Sequence, residues 1–71
     1  MHLIANPDLA RALTGVQERA PRASAAACLR AIGDAATDML HEGLGRMTAP
    51  VWLEELVERA TVRVQTQAES A

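Results

Sequence analysis

Apolar residues recur at spacings of three and four through most of this chain, and the longest such run free of proline extends from Ala23 to Met47. A helix drawn through it carries Leu29, Ile32, Ala36, Leu40, Leu44 and Met47 on one side. Arg30, Asp34, Thr37, Asp38 and His41 fall on the other. One wet face and one dry face make a core helix of a small bundle. Either Pro21 opens this helix or Ser24 caps it. Gly43 and Gly45 are candidate stops, with His41 and Arg46 as cations near the negative end. Helix 2 is thus predicted over about 22–44. Gly33, in its middle, marks either a weak point or a place where another backbone comes near.

The flanking segments carry their own start and stop signals. Asn6-Pro7-Asp8 combines a favoured cap, a proline suited to the first helical position and an acid at the positive helix end. Helix 1 is predicted over about 7–19, dry along Leu9, Leu13 and Val16, with Leu3 or Ile4 folding back as a staple. Gly15 weakens its middle, and Ala20 ends it because Pro21 follows. Thr48 or Ala49 caps helix 3, predicted over about 49–67, with Pro50 in its first turn. Its dry stripe is Leu53, Leu56, Val57, Ala60 and Val64, and Glu55–Arg59 is a correctly ordered ion pair one turn apart. A strand from Thr61 to Thr66 is the competing reading of its β-branched end, and the tail 68–71 is expected to fray. Residues 1–71 therefore form one small all-α domain. The two arrangements considered are a three-helix up-down-up bundle and a long helical hairpin with a short N-terminal helix.

Composition changes this picture in one respect. Of 71 residues 49% are apolar, but 15 are Ala, Trp52 is the sole aromatic, and only 18 are bulky once the initiator is set aside. So small a core supplies roughly 3–5 kcal/mol unaided. Close helix approach over alanine, or a partner covering the remaining apolar surface, relieves the shortage. A homo-oligomer, most simply a dimer, or another protein is the expected partner. The charge pattern agrees: the net is −2, with residues 1–30 at +2 and residues 31–71 at −4. Such a dipolar chain suits antiparallel self-association or an acidic patch on a partner.

Candidate chemistry adds little. The lone Cys28 cannot form an internal disulfide, and no leader-like start or membrane-length apolar run is present, so a cytoplasmic location is expected. Asp34, Asp38 and His41 are metal-ligand types at helical spacing, but no second cluster converges on them and a solvated face is the reading adopted. Cys28 and His41 stand roughly 20 Å apart on one helix, too far for a nucleophile and its base. No catalytic residue, metal or cofactor is expected, and no membrane association. Nucleic-acid binding, as by a small transcriptional regulator or antitoxin, is the alternative. It would use Arg11, Arg19, Arg22 and Arg30 on phosphates, or on an acidic partner, against an overall acidic balance.

The Gly-bearing turn at 43–45 followed by a last helix with Trp52 and Leu53 resembles the small co-chaperones of type III secretion needle subunits. The proline-bearing turns and the capped helix 1 depart from them, so the likeness illustrates what a helical hairpin can do. The functional expectation is a non-enzymatic protein–protein interaction module of adaptor, co-chaperone or inhibitor type. Its partner surface is assigned to Trp52, Leu56, Arg59 and Arg63 of helix 3 with Leu40 and Leu44 of helix 2. Trp52 sits where it either closes the core edge or anchors a partner.

Overall fold

A computed structural model describes residues 6–46 and 48–70, with side chains for 7–46 and 48–67. Three helices pack together: α1 Asn6–Arg19, α2 Ala25–His41 and α3 Ala49–Ser70, with a single 3-10 turn at Leu44–Arg46. No strand occurs among the described residues, and Thr61 to Thr66 are helical. The Leu3 and Ile4 staple, Met47 of the predicted dry stripe and Ala71 of the tail lie outside the described residues. The backbone of α3 is helical through residue 70.

Local chemistry sets the ends. α2 is shorter than the predicted 22–44 at both ends. Ser24, extended at φ −70° and ψ 158°, accepts a hydrogen bond from the Ala27 amide at 3.1 Å, so helix begins only at Ala25. At the other end Gly43 adopts φ +83°, a left-handed conformation that stops the helix, and its amide donates to the Leu40 carbonyl at 3.1 Å. Leu44 is consequently not on α2 but in the turn after it, half-buried against the core. The Thr48 carbonyl accepts from the Trp52 amide at 2.9 Å and so starts α3.

The buried face of α2 is rotated from the expected one. Cys28, Ala31, Ile32, Ala35, Ala36 and Met39 are buried, whereas Leu29 and Leu40 are 42% and 40% exposed. Ile32 and Ala36 alone sit where the pattern put them. Facing small residues inward lets the helices approach closely, and Ala12 of α1 and Ala60 of α3 are fully buried in the same cluster. Leu56, Val57, Ala60 and Val64 are buried on α3 as expected, with Leu53 half-buried and Thr61 buried, its hydroxyl donating to the Val57 carbonyl. Gly15 is a contact residue: a Cβ there would stand 3.1 Å from Val57 Cγ1. Its missing side chain is what brings α1 against α3.

The glycines separate these roles experimentally. Nothing lies within 4 Å of a Cβ built on Gly33, so Gly33→Ala should stabilise the dilute protein by about 0.5–1 kcal/mol through helix propensity. Gly43→Ala should destabilise it by about 1–2 kcal/mol, because a β-carbon is forced into the left-handed region. Gly15→Val should cost about 1–3 kcal/mol by overpacking against Val57. Urea unfolding midpoints at low protein concentration measure all three.

Candidate functional site

The longest-range polar contacts lie along the seam between α2 and α3. Arg59 donates Nη1 and Nη2 to the two carboxylate oxygens of Glu42, at 2.6 and 3.0 Å, and Nε to Glu55 at 2.7 Å. One turn further along α3, Arg63 pairs with Asp38, which lies one turn earlier on α2. Partners therefore run in opposite sequence order on the two helices. A guanidinium bound by a fork to one carboxylate and through Nε to a second is geometrically well defined. Its effect shows in the charges: the hydrogen bond from Arg59 holds the Glu42 carboxyl below the usual carboxylate range, and the two glutamates hold the Arg59 proton more tightly still.

These pairs revise the expected partner surface. Arg59 and Arg63 are occupied within the chain. Leu56 is fully buried and presents nothing to a partner. Trp52 is half-buried against the core, closing its edge, with its indole N–H buried and unpaired among the described residues. Leu44 is likewise partly covered. Of the six assigned residues, Leu40 is the large apolar one that remains substantially exposed.

Two surfaces that residue patterns had not distinguished emerge. The first is a groove of about 510 Å³ between α1 and the start of α3, with Gly15, Leu53 and Val57 among its apolar lining and Asp8, Arg11, Arg19 and Glu54 as its charges. These four charges make no ion pair among the described residues. Of the four N-terminal arginines, Arg11 and Arg19 line it and Arg22 and Arg30 do not. Gly15, read beforehand only as a weak point, was the available signal for this groove.

The second surface is the outward strip of α2. Ala26, Leu29, Gly33 and Leu40 follow one another at spacings of three, four and seven, all exposed. Thr37, on the same stripe, donates its hydroxyl to the Gly33 carbonyl at 2.9 Å. Leu29 and Leu40 belong to the small stock of bulky residues, yet the fold leaves both in water. Single exposed leucines are ordinary, whereas two flanking an open glycine on one stripe make a face. Val51 and Val62, also exposed, have Glu55 and Glu58 between them on that side of α3, so no apolar strip joins them.

The acid–imidazole face does not close up as a site. Asp38 is paired with Arg63, and no group of three or more His, Cys, Asp and Glu is gathered among the described residues. Cys28 is fully buried and His41 exposed. None of the described helices is long and apolar enough to cross a membrane. No protein-family model matches the sequence, and no curated protein or solved structure matches it.

The Glu42–Arg59 pair carries a pH signature. Because the folded state lowers the Glu42 pKa from its ordinary 4.5, its contribution to stability is complete above that value. It is lost as pH falls through the lower folded value. Glu42→Gln should lower the thermal midpoint at neutral pH and flatten its decline in acid. Added salt should narrow the gap between the two proteins. Thermal melts over a pH series at two salt concentrations check this.

Proposed function

We propose that this chain is a non-enzymatic protein–protein interaction module, of adaptor, co-chaperone or inhibitor kind, whose binding surface is the outward strip of α2. The reading takes the molecule as an up-down-up bundle working in the cytoplasm, where the unpaired Cys28 thiol stays reduced. What carries it is the exposure of Leu29 and Leu40 on either side of Gly33, in a chain that meanwhile buries five alanines to 1% or less. An apolar helical face with a gap at its middle is a receptor for another helix, read through residues three, four and seven apart.

The nucleic-acid reading draws less support. Arg11 and Arg19 line the α1–α3 groove with Asp8 and Glu54 beside them, and the net charge of −2 opposes phosphate.

The test is the double substitution Leu29→Gln, Leu40→Gln. Each change should cost the fold about 1 kcal/mol, since each side chain is partly covered, so far-UV circular dichroism should still report a helical protein. Association with protein, read by in-cell cross-linking and by size in solution, should disappear. Unchanged association in both measurements would sink the reading.

A further inference from the structure

We infer that the α2 strip is covered by α2 of a second copy of this chain, packed antiparallel with the two-fold axis passing at Gly33. The inference rests on the interaction-module reading and names its partner. Ala26 and Leu40 lie seven residues to either side of Gly33, two helical turns each way, or about 10.5 Å. A two-fold at Gly33 therefore sets Leu40 of each copy over Ala26 of the other, bulky against small at both ends. Gly33 meets Gly33 at the centre, where the absent side chains and the open space around them let the backbones come close. Leu29 falls opposite Thr37, whose hydroxyl already donates to the Gly33 carbonyl and needs no water.

Charge selects the same arrangement. Arg30 and Asp34 are exposed on one flank of the strip and make no ion pair within the chain among the described residues. Their order along the helix is the unfavourable one for a pair within it. In an antiparallel pair, residues on the same flank meet across the seam. Arg30 precedes the axis by three residues and Asp34 follows it by one, so Arg30 of one copy stands about 3 Å along the axis from Asp34 of the other. The symmetry makes two such pairs, as an isologous interface requires. A parallel pairing would set leucine on leucine and alanine on alanine, leave a gap at Ala26, and leave Arg30 without an acid at its flank.

The experiment is sedimentation of the full chain over a wide concentration range. The wild type should associate to a dimer as concentration rises. Gly33→Leu should abolish the dimer while the thermal midpoint of the dilute protein does not fall, because the site is open in the single chain and leucine favours helix. Arg30→Asp and Asp34→Arg should each weaken dimerisation about tenfold, and the double exchange should restore most of it. A wild type that is monomeric at every concentration overturns the inference. So does a dimer indifferent to Gly33→Leu, or single charge reversals that the double exchange fails to rescue. A monomeric chain that still loses capture of another protein on Leu29→Gln, Leu40→Gln rejects the second copy but keeps the interaction module. Strip substitutions without effect on either measurement reject both.

Discussion

Helix axes in this protein come together over alanine. Ala12, Ala31, Ala35, Ala36 and Ala60 are all buried to 1% exposure or less, and the large fully buried side chains are few: Ile32, Met39, Leu56, Val16 and Cys28. Alanine brings backbone near backbone without loss of side-chain entropy, so dispersion between closely spaced helices replaces much of the area that leucines would bury. The same need explains Gly15, where a β-carbon would stand 3.1 Å from Val57 Cγ1, closer than ordinary van der Waals contact. It also explains the fate of the leucines. A helix that turns its small residues inward carries its branched ones to the margin, and Leu29 and Leu40 end there.

Once the helices are this close, their polar flanks are brought within reach of each other. Arg59 and Arg63 on α3 reach Glu42 and Asp38 on the α2 side, and Glu55 completes the first cluster. Exposed ion pairs stabilise little singly. Here a two-carboxylate fork and a second pair one turn away hold the order in which α2 and α3 lie together. What this seam consumes is unavailable elsewhere, and other charges are left outside it. Arg11, Arg19, Asp8 and Glu54 line the α1–α3 groove, and Arg30 and Asp34 flank the α2 strip.

Much of the fold was readable from local chemistry. The start of α1 beside Asn6-Pro7-Asp8, the alternative cap at Ser24, the stop near Gly43 and the Glu55–Arg59 pair all depend on residues within four of each other. The dry stripe of α3 was readable too, since Leu53, Leu56, Val57, Ala60 and Val64 share one side while Val51 and Val62 stand opposite among glutamates. On α2 periodicity does not single out the buried face. Apolar residues cover more than half of its circumference, so periodicity leaves two neighbouring stripes in competition, and weighting by size favours Leu29 and Leu40.

The sequence by itself determined that this chain is helical, near which residues its helices begin and end, and that its bulky apolar residues are scarce. Those properties follow from capping, backbone freedom and composition, which act over a turn or two. Tertiary structure alone decided which stripe of α2 turns inward, that Arg59 and Arg63 bind within the chain, and that Leu29, Gly33 and Leu40 face outward together. Those outcomes depend on volume complementarity between helices and on contacts spanning 17 and 25 residues. Neither is encoded in the spacing along any one helix.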